Sequence, residues 1–292
     1  MATVLDTVST AESATTALAE FVESNSSLCV ITGAGISLPS GIPTYRDNKG
    51  IWKSRTPIQH ADFMASPKAR QRYWTRSFFG WPAMGKASPN GAHRALATLE
   101  SLGHVHNLVT QNVDRLHQRA GHQQVVDLHG RLDQVVCMQC KTLTPRAEIQ
   151  DWLVTNNTHL HGQSTRLAPD GDADAADELI AMTQSPSCNS CGGILKPNVV
   201  FFGDSVPKDI VDNVMQALQN ASGLLVVGSS LMVYSSFRFC RAAHARGLSI
   251  ACINEGTTRA DDIIDLKLET DCVGLLTDLI RRLAPPKTAV YS

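Results

Sequence analysis

Five short apolar runs, each followed by small or polar residues, constrain the fold of this chain more than any other feature. They occupy residues 28–32, 108–111, 125–128, 224–227 and 248–253. Helical patterns lie between them, and this alternation is typical of strand–helix–strand units in a parallel sheet. An opening helix is predicted at residues 10–22, whose apolar face carries Ala14, Leu18, Phe21 and Val22. The sequence therefore predicts an α/β fold with a Rossmann-like, doubly wound parallel sheet.

Two segments interrupt this alternation. Residues 45–89 are rich in aromatic and basic side chains and are interpreted as short helices on loops. Residues 132–196 contain two cysteine pairs and the polar stretch GQSTRLAPDGDADAADELI. We interpret both as insertions that together form a smaller helical and metal-binding lobe. The larger domain is then made of residues 1–44, 90–131 and 197–285, followed by a tail at residues 286–292.

Composition and charge exclude several classes of protein. The chain has 292 residues, 43% of them hydrophobic, and a net charge of -1. Such a balance attracts neither nucleic acid nor an anionic membrane, and no apolar run approaches the roughly 18 residues of a membrane span. The first 45 residues lack Lys and Arg, unlike secretory or mitochondrial leaders. We expect a cytoplasmic protein, although an organellar protein whose targeting segment has been removed fits the same pattern.

The stretch VITGAGISLPSGIPTYR runs from an apolar strand into a glycine loop. Gly33 and Gly35 fit the dinucleotide fingerprint, in which the loop leads into a helix that receives the pyrophosphate. The next glycine, Gly41, comes too late for that fingerprint and is followed by Ile42 and Pro43. The sequence thus keeps a phosphate cradle and changes the surroundings of the nicotinamide end.

Polar side chains follow the other predicted strands. In TQNVD, Asn112 and Asp114 come directly after a strand, at the edge that faces the ligand crevice of an open α/β sheet. They are candidate partners of a carboxamide or a ribose, or simple caps of the next helix. His129 ends the following strand and is a candidate general base, or a polar group satisfied in the core.

Two later strands end in the same way. Gly228, Ser229 and Ser230 follow one strand, and backbone N–H groups and hydroxyls there can approach phosphate or ribose oxygens. The next strand ends in the INEG segment at residues 253–256, whose Asn254 amide can bind ribose hydroxyls. Each sequence is also a common turn, so the argument depends on their occurrence at successive strand ends.

The cysteines form two CxxC pairs, Cys137 with Cys140 and Cys188 with Cys191. Paired thiolates with this spacing favour one tetrahedral Zn²⁺, and four thiolates leave no position for water, so the metal is expected to be structural. A redox CxxC or four free thiols are the alternatives. The 47 residues between Cys140 and Cys188 exceed the roughly 15 to 20 of a compact zinc ribbon, so the spacer should carry structure of its own.

Seven motifs taken together resemble the sirtuin family: GAGIS-x-x-SGIP-x-YR, TQNVD-x-LH, LHG, the paired CxxC, KPNVVFFGD, GSSL-x-V and INEG. The resemblance covers residues 27–273. The stretches PIQHADF, QRYWTRSFFGWP, LAPDGD and VVFFGD are further similar to the class II branch, whose animal member is mitochondrial.

This resemblance implies that NAD is consumed as a substrate rather than used for hydride transfer. The oxygen of an acyl-lysine amide would attack C1′ of the nicotinamide ribose as nicotinamide leaves. His129 would then deprotonate a ribose hydroxyl, which attacks the imidate carbon. Water would complete the passage to free lysine and O-acyl-ADP-ribose. Acylated-lysine proteins are the implied partners. The sequence does not fix the oligomeric state, and a monomer is compatible with it.

The resemblance also implies the site residues. His129 and Asn112 are the expected catalytic residues, and Cys137, Cys140, Cys188 and Cys191 the zinc ligands. The expected NAD contacts are Gly33, Ala34, Gly35, Ser37, Ile42, Pro43, Tyr45, Arg46, Gln111, Asn112, Val113, Asp114, Gly228, Ser229, Ser230, Asn254, Glu255, Gly256 and Cys272. Residues 199–204 would pair with the substrate peptide as an added strand, with contacts from Val199, Val200, Phe201, Phe202 and Gly203.

Tyr73 and Arg76 repeat the Tyr-x-x-Arg spacing that recognises an acyl carboxylate in desuccinylating sirtuins. One helical turn separates the two side chains, so both can face one pocket. Arg76 would then favour succinyl- or glutaryl-lysine, or alternatively form a structural ion pair.

Three other functions stay open at this point. The first is mono-ADP-ribosyl transfer from the same NAD site, the second a non-catalytic NAD-sensing scaffold, and the third a dehydrogenase, which the glycine spacing disfavours.

Overall fold

A six-stranded parallel sheet forms the larger part of the protein. The computed structural model describes residues 10–44, 47, 49, 51, 57–163 and 176–283. The sheet contains β1 (Leu28–Thr32), β2 (Val105–Thr110), β3 (Val125–Asp127), β7 (Gly223–Val227), β8 (Ser249–Ile253) and β9 (Leu266–Leu268). Its order, β3-β2-β1-β7-β8-β9, reverses direction beside β1 and is that of the Rossmann fold, as predicted.

Helices cover both faces of this sheet. The helices of the described chain are α1 (Ala11–Ser24), α2 (Ala34–Ser37), α3 (His60–Ala65), α4 (Pro67–Lys86), α5 (Gly91–Ser101), α6 (Leu116–Arg119), α7 (Arg146–Asn156), α8 (Asp177–Met182), α9 (Lys208–Gln219), α10 (Tyr234–Ala245) and α11 (Cys272–Leu283), with short 3₁₀ turns at Leu38–Ser40 and Thr158–Leu160. One core unites α1, α5 and α11 with the sheet, and a second unites α9 and α10 with its other face. Because both faces are covered, β1 and β7 are buried throughout and apolar apart from Thr32 at the end of β1, and β8 is buried and apolar after its first residue.

The opening helix forms as predicted. Thr10 caps α1, and its side chain and that of Ser13 bond each other's backbone N–H in a capping box. The predicted face is the packed one, because Ala14, Leu18 and Val22 are buried and Phe21 packs against the same core.

A smaller antiparallel sheet lies outside the Rossmann-like sheet. It contains β4 (Gly130–Cys137), β5 (Leu143–Pro145) and β6 (Leu195–Val199) in the order β5-β4-β6. The sequence did not predict these strands or β9, which are short or rich in polar residues. β6 also crosses the predicted domain boundary between residues 196 and 197. The spacer between the cysteine pairs does carry structure, including β5, α7 and α8.

The prediction of short helices in residues 45–89 is wrong for α4, which runs unbroken for 20 residues. Pro82 lies inside it and has no N–H to donate to the carbonyl of Phe78. The side-chain amide of Gln150, on α7, donates to that carbonyl instead, over 3.1 Å. A neighbouring helix therefore supplies the hydrogen bond that proline removes, which a local pattern cannot reveal.

None of the helices in the described part of the chain combines the length and apolar character that a membrane span needs.

Candidate active site

Two cavities meet at the carboxyl ends of the central strands. The first, which we call the glycine-loop cavity, has a volume of about 330 Å³ and follows β1, β7 and β8. The second, which we call the aromatic cavity, has a volume of about 460 Å³ and extends towards Tyr73, Phe201 and Phe202. His129, Gln111 and Asn112 line both. Whatever binds in one cavity therefore meets what binds in the other at these side chains.

The glycine loop packs directly against the turn after β7. The N–H of Gly35 donates to the carbonyl of Gly228 over 2.8 Å. A Cβ on Gly33 would lie 2.7 Å from Cβ of Ser229, and one on Gly35 would lie 2.8 Å from the Gly228 oxygen. Only glycine allows these two turns to approach so closely, and their small size leaves backbone groups at the floor of the cavity. This floor fits a pyrophosphate.

A hydrogen-bonded chain fixes the polar residues between the cavities. The Asn112 amide donates to the Gly33 carbonyl and to Ser37 Oγ, each over 3.0 Å. Ser37 Oγ donates to Asp114 Oδ2 over 2.7 Å, while Asp114 Oδ1 accepts the N–H of Leu116 over 2.9 Å. Asp114 therefore binds the first N–H of α6, whose N-cap residue is Arg115, and also lines the aromatic cavity, whereas the Asn112 amide, among the described residues, bonds only the glycine loop and Ser37. Burial raises the pKa of Asp114.

Gln111 is held from two sides. Its amide nitrogen donates to Ser229 Oγ over 2.7 Å, and its amide oxygen accepts the hydroxyl of Ser236 over 2.9 Å. These bonds orient the amide between β2 and β7 and preorganise this wall of the glycine-loop cavity.

His129 is oriented as a base. Its Nδ1–H donates to the backbone carbonyl of Gln111 over 3.0 Å, which leaves the lone pair on Nε2. Nε2 accepts the hydroxyl of Ser235 over 2.8 Å. The pKa of His129 is lowered to about 4, mainly by burial and in smaller part by the charge of Arg238, while the hydrogen bond to the Gln111 carbonyl opposes this shift. The imidazole is therefore neutral at neutral pH and able to accept a proton.

Most predicted NAD contacts line the two cavities. Those in the glycine-loop cavity are Ala34, Gly35, Gln111, Asn112, Gly228, Ser229, Ser230, Asn254, Glu255 and Cys272. Those in the aromatic cavity include Ser37, Ile42, Val113 and Asp114. Gly33, Pro43 and Gly256 line neither, although Gly33 supplies the close approach described above. Tyr45 and Arg46 lie outside the described residues.

The aromatic cavity contains six of the seven predicted substrate contacts, namely Tyr73, Val199, Val200, Phe201, Phe202 and Gly203. The rings of Tyr73 and Phe201 lie 5.5 Å apart, and apolar Ile42, Met84 and Leu132 extend the lining. Arg76, one turn after Tyr73 on α4, is not among the lining residues.

The segment 199–204 is anchored to both sides of the cavity. The N–H of Val200 donates to the carbonyl of His129 over 2.9 Å, and the N–H of His60 donates to the carbonyl of Phe202 over 2.9 Å. Nδ1 of His60 lies 3.1 Å from a carboxylate oxygen of Asp204. Because one of these bonds connects the segment directly to His129, the peptide-binding segment and the base hold a fixed relative position.

The four predicted zinc ligands form one cluster. Their Sγ atoms all lie within 4.8 Å of one another, with 3.5 Å between Cys137 and Cys191 and 3.6 Å between Cys140 and Cys188. A tetrahedron with Zn–S bonds of about 2.3 Å has edges of about 3.8 Å. Hydrogen bonding with Thr142 lowers the pKa of Cys140 to about 6, which favours the thiolate. The cluster fits one structural Zn²⁺.

Several lining residues were not predicted. Ser235 and Arg238 come from the first two turns of α10, and Met84 comes from α4. Ser235 lies 106 positions from His129, so no local signal connects the two. For Leu132, three residues after His129, the alternation of apolar and polar residues along β4 was the one sequence signal that could have indicated an inward-facing side chain.

The fold and the site together define an NAD-binding α/β protein with a four-cysteine lobe. The model of the Sir2 family matches residues 33–235, and the chain belongs to that family. It is 50% identical over 273 residues to NAD-dependent protein deacetylase 2 of Bradyrhizobium diazoefficiens, covering 94% of this chain and 100% of that protein.

Two further comparisons agree with this assignment. The chain is 48% identical to the mitochondrial NAD-dependent protein lipoamidase sirtuin-4 of Bos taurus, over 89% of this chain and 83% of that one. A solved complex of Sir2 with a p53 peptide and NAD⁺ superposes with a TM-score of 0.71 at 29% identity, covering 91% of this chain and 97% of that chain. The predicted family and fold class are confirmed.

Proposed function

We propose that this protein is an NAD-dependent protein-lysine deacylase that releases nicotinamide and O-acyl-ADP-ribose. The observation that carries the proposal is the position of His129, which lines both cavities. A dinucleotide in the glycine-loop cavity and an acyl-lysine in the aromatic cavity then meet at one neutral imidazole. Curated relatives named as deacetylases and a lipoamidase support the same activity.

NAD supplies a ribose whose bond to nicotinamide is broken in the reaction. The glycine loop and Ser229 bind its phosphates, and Asn254 binds the adenosine ribose. Asn112 and Asp114, with Ile42, bind the carboxamide, and their mutual bonds through Ser37 support this role. Because donors and acceptors are already oriented, little reorganisation is needed when the substrates bind.

His129 accepts a proton from a ribose hydroxyl at Nε2. The Nδ1–H bond to the Gln111 carbonyl fixes the tautomer and stabilises the imidazolium that forms. The Ser235 hydroxyl occupies Nε2 in this structure, so the ribose hydroxyl takes its place or transfers its proton through it.

The acyl chain lies against Tyr73, Met84 and Leu132. This apolar lining supports acetyl and longer uncharged acyl groups, since burial of each CH₂ contributes about 0.8 kcal/mol. Preference for an acidic acyl group through Arg76 stays a prediction. An Arg76→Met variant tests it, because equal loss on acetyl- and succinyl-lysine would contradict a specific role.

Residues 1–44, 90–131 and 197–285 are proposed to form the NAD-binding domain, and the two insertions the smaller lobe. A reducing compartment, the cytoplasm, is proposed for the protein. Cys29, Cys240 and Cys252 are buried free thiols, and burial raises the pKa of Cys29 to about 12, which suits such a compartment.

The test is mass spectrometry of the products formed from NAD and a panel of acetyl-, succinyl-, glutaryl- and lipoyl-lysine peptides, with wild type and His129→Ala. We expect acyl-ADP-ribose from the wild type and its loss in the variant. ADP-ribose on protein with no acyl-ADP-ribose would favour ADP-ribosyl transfer instead.

A further inference from the structure

One cation in the aromatic cavity has no role in the reaction described above. Arg238 is the fifth residue of α10, at the start of its second turn, and lines the cavity beside Tyr234 and Ser235, the latter bonded to His129. Residues 234, 235 and 238 share one side of the helix because positions three and four apart are neighbours. Arg238 is therefore a helix neighbour of Ser235, the residue bonded to His129, and it lies in the wall of the cavity proposed for the acyl-lysine.

Arg238 is unpaired within the part of the chain that the structure describes. Its Nε is buried and has no hydrogen-bond partner. Its guanidinium carbon lies 5.6 Å from the ring centre of Tyr234 and 5.9 Å from that of Phe239, and neither ring carries a charge. A guanidinium held on aromatic faces keeps its planar fork of donors available for a carboxylate.

The two carboxylates in the cavity lining are engaged elsewhere. Asp114 binds Ser37 and the N–H of Leu116. Asp204 pairs with His60 at 3.1 Å and lies 3.9 Å from Nζ of Lys196. No acidic side chain among the described residues of the cavity thus forms an ion pair with Arg238, and its guanidinium can bind an anionic group of a ligand.

Other arginines nearby differ in this respect. Arg259 donates to the Met232 carbonyl over 3.1 Å and stacks on Phe237 at 4.9 Å. Arg241, one turn after Arg238 on α10, is exposed and is not among the cavity-lining residues. Of these three arginines, only Arg238 both has a buried donor without a hydrogen-bond partner in the described chain and lines the cavity.

We propose that Arg238 binds a carboxylate of the acyl-lysine substrate and makes the enzyme prefer acidic substrates. The inference rests on the proposed deacylase function. Tyr234, beside Arg238, is 52% exposed, so this side of the cavity is its rim. The carboxylate is therefore expected from an acidic side chain close to the acyl-lysine in the peptide, and an acidic acyl chain offers the same chemistry from inside the cavity.

The experiment compares kcat/KM on matched substrates. One arm uses acetyl-lysine peptides in which a residue flanking the acyl-lysine is Glu or Gln, with each flanking position tested in turn. The other arm uses one neutral peptide carrying succinyl-lysine or its uncharged terminal amide. The free energy of a charge-assisted hydrogen bond corresponds to a kcat/KM that is about 10- to 100-fold higher for the carboxylate substrate than for its uncharged match, and we expect this preference in one arm. The arm in which the preference occurs identifies the source of the carboxylate.

Three variants separate recognition from a structural role. In Arg238→Gln, kcat/KM is expected to be equal for the acidic substrate and its uncharged match, so that the preference is lost. Arg238→Lys is expected to retain part of the preference. Arg241→Gln removes one charge from the same helix outside the cavity and should leave the ratio intact. Raising the ionic strength should lower the wild-type ratio.

The outcomes also distinguish this inference from the function on which it rests. Wild-type turnover without a preference in either arm, or a preference that survives in Arg238→Gln, would overturn the role of Arg238 and leave deacylation standing. Equal loss on all substrates in Arg238→Gln would overturn it in the same way. Absence of wild-type turnover on every peptide would overturn both.

Discussion

The contact between the glycine loop and the turn after β7 predicts the cost of a single added methyl group. Gly228 has φ of 59°, a left-handed conformation, and a Cβ there would lie 2.4 Å from the backbone nitrogen of Ile36. The left-handed conformation costs a non-glycine residue roughly 1–2 kcal/mol. Separating two packed backbones costs about 1–3 kcal/mol more. Gly228→Ala should therefore lower the free energy of unfolding by about 2–5 kcal/mol.

Gly247 provides the matched control. It has φ of 73°, and a Cβ there meets nothing within 4 Å. Gly247→Ala should therefore cost only the conformational part, about 1–2 kcal/mol.

Urea unfolding of both variants gives the difference directly, and NAD titration of the deacylase reaction adds a second readout. The KM for NAD should rise in Gly228→Ala alone, because the shifted turn displaces the cavity floor. Equal destabilisation of the two variants with unchanged KM would refute the steric argument.

Three further predictions follow from the site. His129 must be neutral to accept a proton and its pKa is lowered to about 4, so kcat/KM should persist below pH 6 and fall only as pH approaches 4; a midpoint near 6.5 would contradict the burial effect. Cys188→Ala should reduce bound zinc, measured by mass spectrometry of the metal, from about one per chain to near zero and destabilise the smaller lobe, whereas Cys29→Ala should leave the zinc content unchanged. Burial lowers the pKa of His93 from 6.5 to about 4, so His93 takes up a proton at higher pH in the unfolded chain than in the folded one, and the free energy of unfolding decreases as pH falls between these values. In His93→Gln the fall in Tm between pH 7 and pH 5 should therefore be smaller than in the wild type. An unchanged fall in Tm would contradict a contribution of His93 to this pH dependence.

The sequence predicted the parts of the fold that depend on local pattern. Strands such as β1 form where a buried apolar run precedes a glycine turn, and the order of the motifs located His129 and the cysteine cluster. Contacts between distant segments were not predictable in this way. The bond from Gln150 that keeps α4 continuous past Pro82, and the bond between Ser235 and His129, join segments whose relative position only the folded chain determines.

The same limit applies to the substrate side. Tyr73 and Arg76 are one helical turn apart, and only Tyr73 lines the aromatic cavity. Arg238 lines it from α10, on which the sequence carries no recognisable carboxylate motif. Spacing along a helix restricts which side chains share a face, but the packing of that helix determines which cavity the face meets.

The most direct test of the account is the order of events at His129. If the amide oxygen attacks before His129 accepts a proton, nicotinamide release is reversible and does not require the imidazole. In His129→Ala, labelled nicotinamide should then still exchange into NAD in the presence of acyl-lysine peptide, while release of free lysine peptide falls by about 100-fold or more. Loss of exchange and deacylation to the same extent, with NAD binding intact, would contradict the role assigned to His129.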